Sequence, residues 1–287
     1  MSLRSFAFQL IFFLTCLKTT TAQNLSMQIN AGLMNYGGDL QSQVYTFTEA
    51  QLSAGLNLKY SIGNFGLRAG FNYGKIEGDD SKGKYPLRNL SFKSTVIEAN
   101  GCLEYDFDNA AKDRKLIPYL FAGLALFHYN PYTNYNGQKV YLQPLGTEGE
   151  GLTIYPKKKM YALTAPAIPM GVGVRYKLSS NLLLGLEFNS RYLFTDYLDD
   201  VSRSYPKENE LYKQRGQLAV DLSFRSDEIN PALSFPNAGT RRGNPKQNDN
   251  YYTSSITLTY IFSEHSLFQG TAGKGSKRSL DCPKDVY

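Results

Sequence analysis

Two histidines, His128 and His265, are the side chains best suited to act as a general base near neutral pH. A catalytic base also needs a nucleophile and an orienting acid within reach. No serine and acid stand at a diagnostic spacing from either histidine, and no histidine and cysteine spacing indicates a metal site. We therefore predict that the protein is not an enzyme, binds no metal or cofactor, and has no small-molecule substrate.

Two acidic runs, Asp79-Asp80 and Asp196-Tyr-Leu-Asp199-Asp200, could offer carboxylate oxygens to calcium. Neither run has the EF-hand spacing, so we expect solvated loop acids or aspartates that cap loop backbone. Glycines also surround a third acidic segment, at positions 146, 149 and 151. No helix follows them, so they indicate permissive loop glycines and not a phosphate-binding turn.

A further set of charged residues lies within segments whose side chains alternate in polarity. Its members carry both signs: Lys59, Arg68, Glu98, Glu104, Arg175, Lys177, Glu187 and Arg191. Buried charges are tolerated when they are paired and hydrogen-bonded. We predict a structural polar network, with Arg68, Glu98, Glu104, Arg175, Glu187 and Arg191 as its main members, and not a proton or substrate path.

The segments that must position these charges switch polarity at every second residue, which is the period of a β-strand. The clearest runs from Leu182 to Phe194, where leucines and aromatics share one face and Glu187 and Arg191 the other. Eight such segments occur, and none is apolar enough to cross a membrane as a helix. Because a closed barrel satisfies every backbone group in lipid, we predict an all-β fold, an eight-stranded antiparallel transmembrane β-barrel.

Two points stay open at this level. A soluble sandwich or lipocalin-like barrel has similar strand signals, and we consider it the weaker alternative. The fifth segment, from Pro118 to Tyr129, is apolar on both faces, so periodicity cannot orient it. A barrel of eight strands has an interior that side chains can fill, so we expect no open channel.

Aromatic residues stand near the ends of most segments, as in the girdles that flank the apolar band of membrane barrels. We assign one girdle to the periplasmic end, with Tyr60, Phe65, Tyr105, Phe107, Tyr119, Tyr176, Tyr260 and Phe262. We assign the other to the outer end, with Tyr73, Phe92, Phe127, Tyr129, Tyr192, Phe194 and Tyr252.

Connection lengths predict the orientation of the barrel. Long connections follow segments one, three, five and seven, and short ones follow two, four and six, which is typical of extracellular loops and periplasmic turns. We therefore predict a signal peptide over residues 1–22, an outer-membrane barrel over 23–262 with both termini periplasmic, and a C-terminal periplasmic tail over 263–287. Cys16 would allow a lipoprotein signal, but Thr15 is a poor residue before such a cysteine.

The formal net charge of +6 is scattered over loops and the tail, as at Lys157-Lys158-Lys159, so it does not indicate nucleic-acid binding. After removal of the signal two cysteines remain, Cys102 and Cys282. Export to an oxidising compartment allows a disulfide between them, a bridge to a partner, or free thiols. The sequence does not choose among these three states.

The loops carry more specific motifs than the strands. These are Tyr36-Gly-Gly-Asp39-Leu40, Gly78-Asp79-Asp80, Arg88-Asn-Leu-Ser-Phe92, Pro118-Tyr-Leu-Phe-Ala-Gly123, Leu142-Gln-Pro-Leu-Gly-Thr-Glu-Gly149, Arg191-Tyr-Leu-Phe-Thr-Asp-Tyr-Leu-Asp-Asp-Val-Ser202, Arg242-Gly-Asn-Pro245 and Cys282-Pro283. In their order, and above all in the run from Arg191 to Ser202, they resemble the PorG-like outer-membrane barrel family.

That resemblance implies a component of the type IX protein secretion system, associated with a periplasmic ring made by a lipoprotein and its partner. The expected partners are this ring, associated secretion-system subunits and outer-membrane lipid. The tail over 263–287 would then be a periplasmic contact segment, which is our own hypothesis. The alternative is a small outer-membrane barrel that binds a surface ligand or lipid through its extracellular loops, including the long loop over 196–249.

Overall fold

The computed structural model describes residues 24–41, 46–108 and 114–262. Eight long strands form the wall: β1 (Asn24–Gly37), β2 (Gln51–Ile62), β3 (Phe65–Asp79), β4 (Ser91–Asp106), β5 (Leu116–His128), β8 (Thr164–Lys177), β9 (Leu182–Leu193) and β10 (Asn250–Phe262). Between β5 and β8 lies a small hairpin, β6 (Tyr132–Tyr135) and β7 (Gln138–Tyr141). Two short helices, α1 (Glu208–Arg215) and α2 (Gln217–Ser223), lie between β9 and β10.

The eight long strands close into a ring in which every neighbour is antiparallel. Strand β1 pairs with both β2 and β10, so that Leu25 lies opposite Tyr60 on one side and Phe262 on the other. The ring continues through β9, β8, β5 and β4, and β4 pairs with β3 along its length. The predicted eight-stranded antiparallel barrel is therefore confirmed. In the described part of the chain, no helix is long and apolar enough to span a membrane.

The wall is apolar outside and polar inside. On β3 the outward Leu67 is 62 % exposed, whereas the adjacent inward Arg68 is 3 % exposed. Outward apolar residues continue along β3 from Phe65 to Tyr73, and beyond them an outward ion pair joins Lys93 to Glu77 at 3.0 Å. The length of this apolar stretch matches the span of a tilted strand across a bilayer core. This polarity is the reverse of a soluble β-sandwich.

The structure orients β5, the strand that the sequence left ambiguous. Leu120, Leu124 and Leu126 face outward, and Tyr119 and Phe121 are buried in the interior. Glycines on β8 explain the choice, because Gly173 lies opposite Tyr119 and Gly171 opposite Phe121. A Cβ at either glycine would come within about 2.5 Å of the facing ring. Rings and glycines therefore fit together on the inner face.

Four aromatic residues do not belong to the girdles predicted for them. Tyr119, Phe92, Phe127 and Tyr129 are all at most 1 % exposed and lie inside. Phe127 stacks on Tyr129 at 5.3 Å and meets Tyr251 edge-on, so these rings fill the barrel near its long-loop end. The prediction was wrong here because strand-end position alone does not distinguish an inward ring from an outward one.

The connections differ in length as predicted. Residues 63–64, 107–115 and 178–181 join strands at one end, the short-turn end, and 38–50, 80–90, 129–163 and 194–249 join them at the other, the long-loop end. The four long connections pack together into a loop cap with its own buried residues, among them Leu142, Leu198, Leu211 and Leu222. The predicted signal peptide over 1–22 and tail over 263–287, with His265 and Cys282, lie outside the described residues.

Candidate functional site

The interior near the short-turn end is organised around Arg68 and Glu187. Two guanidinium nitrogens of Arg68 lie 2.7 and 3.0 Å from the two carboxylate oxygens of Glu187. Glu187 also accepts hydrogen bonds from the Tyr119 hydroxyl at 2.9 Å and from the Gln28 amide at 3.3 Å. The Arg68 guanidinium lies 4.2 Å from the centre of the Phe121 ring. This bidentate pair is the strongest type of charged hydrogen bond.

A second group of ion pairs surrounds Glu104 in the same half of the barrel. Its carboxylate lies 2.7 Å from Arg175 and 2.6 Å from Lys59, and 3.4 Å from Arg68. Asp106 pairs with Arg175 at 2.9 Å and also with Lys59. A cavity of about 40 Å³ adjoins Lys59, Asp106 and Arg175, which is room for a few water molecules.

The third group lies nearer the long-loop end. Arg191 Nε is 2.9 Å from Glu98, and each side chain is 1 % exposed. Glu98 also accepts hydrogen bonds from Asn72 at 2.8 Å and from the Tyr251 hydroxyl at 2.6 Å. The structure thus places all six charged residues of the sequence-based network in the interior and pairs each acid with an arginine. Alternating salt bridges and rings fill the interior, so the geometry is that of a plug and not of a channel.

Cys102 and His128 lie on opposite faces of the barrel wall. The buried Cys102 thiol is free, with its Sγ 3.8 Å from the Asn100 amide oxygen. Because Cys282 lies outside the described residues, the three states that the sequence allows for the two cysteines stay open. His128 is exposed on the outward face of β5, where a ring nitrogen lies 3.0 Å from the Thr164 hydroxyl. Among the described residues, no cluster of histidine, cysteine and acids could hold a metal ion.

Three acids of the two acidic runs are buried and not solvated, whereas Asp79 and Asp196 are half-buried. Asp80, Asp199 and Asp200 are each at most 1 % exposed. Asp80 receives two hydrogen bonds of 2.7 Å from the Arg88 guanidinium. The capping alternative describes Asp79 and Asp199 well, because their carboxylates accept the backbone N–H of Ser81 and Val201, each at 2.8 Å. Burial follows from the packing of the long loops on one another.

Glu148 joins two of these loops at the centre of the cap. Its fully buried carboxylate accepts the backbone N–H groups of Ser202 at 2.9 Å and Arg203 at 2.7 Å, and lies 3.3 Å from Arg242. Beside it, Asp200 accepts hydrogen bonds of 2.6 Å from the hydroxyls of Thr147 and Tyr161. These contacts fasten the connection 129–163 to the connection 194–249. The cap is therefore a built element and not a set of independent loops.

Burial favours the protonated form of four aspartates in the connection 194–249. Burial raises the pKa of Asp200 to about 7, although the nearby Arg242 guanidinium opposes the shift. Burial likewise raises the pKa of Asp196 to about 7. The pKa values of Asp199 and Asp249 are raised well above the usual range, again mainly by burial. A carboxyl removed from water favours its neutral form.

An open cleft of about 910 Å³ lies on the cap. Three long connections form it: 38–50 contributes Gly38, Asp39 and Gln41, 80–90 contributes Lys84 to Arg88, and 194–249 contributes the rest. Its remaining lining includes Tyr205, Phe224, Leu233, Pro236, Arg241, Arg242, Gly243 and Asn244. The cleft size is in the upper range of ligand sites.

Residues 5–222 match a family model described as a domain of unknown function, DUF6089. The chain belongs to this family. No curated protein matches it. The family carries no assigned function, so the resemblance to PorG-like proteins and the secretion role that it implies stay predictions.

Solved structures of outer-membrane barrels are similar to this DUF6089 protein. Neisserial surface protein A is 16 % identical, with 83 % of this chain and 97 % of that chain covered and a TM-score of 0.41. Ail of Yersinia pestis, solved with the heparin analogue sucrose octasulfate, is 9 % identical, with coverage of 84 % and 100 % and a TM-score of 0.41. A major outer membrane protein of Thermus thermophilus is 11 % identical, with coverage of 84 % and 100 % and a TM-score of 0.40.

The cap and the cleft of this DUF6089 protein were missed by sequence reasoning. Glu148, Asp200 and Arg242 are separated along the chain, and no period or spacing relates them. One local signal was present, namely the glycines 146, 149 and 151, whose φ angles of 58°, 88° and 69° confirm the permissive turns expected there. Such a dense set of left-handed glycines beside acidic residues indicates a tightly folded loop.

Proposed function

We propose that this protein is a non-enzymatic outer-membrane β-barrel that serves as a membrane platform. The observation that carries the proposal is its reversed polarity: outward leucines and aromatics surround an interior of buried ion pairs. In water such a contiguous apolar band would drive aggregation. In a bilayer the same band forms the lipid-facing surface of a spanning structure. Outward aromatics at both edges of the band, such as Phe65 and Tyr73, support the same assignment.

The proposed orientation puts the loop cap outside the cell and the short-turn end in the periplasm. Short periplasmic turns and long extracellular loops are the rule for such barrels. Both ends of the barrel wall, at Asn24 and Phe262, lie at the short-turn end. The segment over 263–287 would then start on the periplasmic side.

As a finer proposal, the barrel is a subunit of the type IX secretion system that anchors or contacts its periplasmic ring. A filled interior supports an anchoring role, because ion pairs such as Arg68 with Glu187 occupy the route that a transported molecule would need. The PorG-like motifs support the choice of this machine. The ring lipoprotein is the partner that we expect for the segment over 263–287.

Deletion of residues 263–287 tests the secretion role in the native cell. We expect the shortened barrel to reach the membrane in normal amount, to lose crosslinks to the ring lipoprotein, and to reduce export of cargo proteins. A matched control replaces the exposed Lys157 and Lys159 of the cap with glutamate and should leave crosslinks and export unchanged. Normal crosslinking and export by the shortened barrel would contradict the secretion role but leave the barrel assignment intact.

A second candidate function is binding of a surface ligand through the loops. One observation favours it, namely the cleft of about 910 Å³ that three long connections build on the cap. A barrel that only anchors a periplasmic ring has no evident use for it. The two candidates are compatible, because they use opposite ends of the molecule.

A further inference from the structure

The cleft on the cap has a rigid floor. Arg88 donates to the backbone oxygen of Asp39 at 3.0 Å and pairs with Asp80, while the Asp39 carboxylate accepts the backbone N–H of Asn244 at 2.6 Å. Arg242 donates from Nε to the Ser223 backbone oxygen at 3.1 Å. These buried contacts join all three connections that form the cleft. A ligand would therefore meet a preformed site and lose little affinity to loop ordering.

One wall of the cleft is aromatic and aliphatic. Tyr205 lies 6.2 Å from Phe224 and 5.7 Å from Phe235, ring centre to ring centre, and these three rings support that wall. At the rim, Leu87 is 65 % exposed and Leu233 is 42 % exposed. These two leucines bring exposed apolar surface to the rim, where another molecule could cover it.

The charge at the rim is unbalanced. Lys84 and Arg241 are exposed, and within the described ranges neither lies within ion-pair distance of an acid. The two other cations that line the cleft are already used, Arg88 by Asp80 and Arg242 by Glu148. The acid among the lining residues, Asp39, lies toward the floor and is held by Asn244. Arg241 donates from Nε to the Gly243 backbone oxygen at 2.7 Å, and its charge opposes the rise that burial causes in the pKa of Asp39. The rim thus offers two cations that form no ion pair within the described ranges, beside an apolar wall.

We propose that this cleft binds an acidic segment of a partner protein that also carries large apolar side chains. Carboxylates of the segment pair with Lys84 and Arg241, and its apolar side chains pack against the exposed Leu87 and Leu233. A polyanionic saccharide is a poorer match, because leucine and proline offer it no hydrogen bonds and, of the cations that line the cleft, two are already paired with acids. This inference deepens the second candidate function and does not depend on the secretion role.

Fluorescence polarisation on the full chain in nanodiscs tests the proposal. The probe is a short fluorescein-labelled peptide in which aspartates alternate with phenylalanine and leucine; its counterparts carry lysine for aspartate or serine for the apolar residues. We expect saturable binding of the acidic apolar peptide, weakened by salt, and binding about five- to tenfold weaker for each counterpart.

Variants of the rim separate the two halves of the site. Lys84→Glu with Arg241→Glu should weaken binding of the acidic peptide about tenfold and improve binding of the lysine peptide. Leu233→Ser should weaken binding of the acidic peptide. The part of that binding which persists at high salt should fall as well. The matched control, Lys157→Glu with Lys159→Glu, makes the same charge change on exposed residues outside the cleft and should bind as the unchanged protein does.

Three results would overturn the proposal. The first is no saturable binding of the acidic peptide up to about 1 mM, a range in which weak specific sites are still detected. The second is equal binding of that peptide by the rim variant and the control. The third is tighter binding of a sulfated oligosaccharide or an anionic phospholipid vesicle through the same two cations. A thermal unfolding curve for each variant separates loss of the site from loss of the barrel.

Discussion

Asp199 and Asp249 direct their carboxylates at the same hydroxyl, that of Tyr36. The hydroxyl donates to Asp199, and the nearest oxygen of Asp249 lies 3.3 Å from it. One hydroxyl proton can serve only one carboxylate at a time. Both acids are at most 2 % exposed, and the acids Asp39 and Asp196 face them with Arg88 as the opposing cation. Burial and this gathering of acids favour the protonated form of the pair.

Stability of the cap should therefore fall as the pH rises. Burial raises the folded-state pKa of Asp199 and Asp249, and the negative charge of Asp199 raises that of Asp249 further. A raised carboxyl pKa means that, above about pH 4, the folded state binds more protons than the unfolded state. The free energy of unfolding therefore falls as the pH rises from about 4 to the folded-state pKa. Asp196 and Asp200, whose pKa values are about 7, add to the loss between about pH 4 and 7.

Hydrogen exchange at residues 194–249 measures this effect. We expect faster exchange at pH 8 than at pH 5 after correction for the intrinsic rate, and a smaller difference for Asp249→Asn, whose amide oxygen can still accept the Leu198 N–H now bonded at 2.9 Å. Strands β2 and β3 serve as the internal control and should show no such change. Equal pH dependence in the variant and the unchanged protein would refute the shared proton.

Removal of Glu187 should destabilise the barrel because it leaves the buried Arg68 with only its 3.4 Å ion-pair contact to Glu104. Breaking one partner of a buried pair costs about 3–5 kcal/mol, whereas replacing both partners with apolar residues costs much less. Glu187→Leu should therefore be markedly less stable, and Glu187→Leu with Arg68→Met should recover most of the loss. Urea unfolding in lipid vesicles gives the free energy of unfolding.

An isosteric variant provides the control for that pair. Glu187→Gln keeps an acceptor for the Tyr119 hydroxyl, now 2.9 Å from Glu187, and removes only the charge, so we expect a loss between those of the other two variants. If the single and double variants were equally unstable, the interior pair would not be the cause of the loss.

The barrel was predictable from sequence because each wall residue has only two choices of face. Period two on β9 determines that Glu187 and Arg191 lie inside once Leu184 and Leu186 lie outside. On β5 the same rule fails, since Leu120 and Phe121 are both apolar. The deciding feature, an inward ring above an inward glycine of β8, depends on the register between two strands.

The cap was not predictable in the same way. Glu148 meets Ser202 and Arg242 across separate connections, and no local pattern reports a contact between loops. Asp199 and Asp200 resemble any solvated acidic run until the packing of Tyr161 and Tyr36 removes them from water. Contacts between loops are set by tertiary packing. The loop motifs in the sequence therefore fall within the cap but do not show which of their residues meet.

Arginine on the outward face tests the membrane assignment directly. Leu56 lies near the middle of β2, opposite Ile29 and Phe71, whereas Leu52 lies near the long-loop end. An arginine at a bilayer midplane costs about 2–4 kcal/mol, and one near the interface about 0–1 kcal/mol. We expect Leu56→Arg to lower the free energy of unfolding in lipid vesicles much more than Leu52→Arg.

Both leucines are exposed, at 46 % for Leu56 and 79 % for Leu52. In a soluble barrel the two arginines would be solvated, and neither would cost appreciable stability. Similar small effects at both positions would therefore argue against a spanning barrel. An Ala variant at each position controls for loss of the leucine itself.

Gly146 should be the most sensitive glycine of the cap. Its φ of 58° lies in the left-handed region, and a Cβ there would come within 2.5 Å of the Glu150 backbone oxygen. Left-handed backbone costs an L-residue roughly 1–2 kcal/mol, and the contact adds to this cost because a backbone atom cannot move aside. Gly146→Ala should weaken the turn that holds Glu148 and Glu150 in place.

Gly137, in the turn between β6 and β7, is the matched control. Its φ is 78°, but nothing lies within 4 Å of a Cβ at that position, so Gly137→Ala meets only the backbone cost. The readout is exchange of the Gly149 N–H, which donates to the Gly146 carbonyl oxygen at 2.8 Å. We expect Gly146→Ala to lose this protection, with the unfolding of the barrel strands unchanged, and Gly137→Ala to keep it. Equal protection in both variants would mean that the turn at Gly146 does not hold the centre of the cap together.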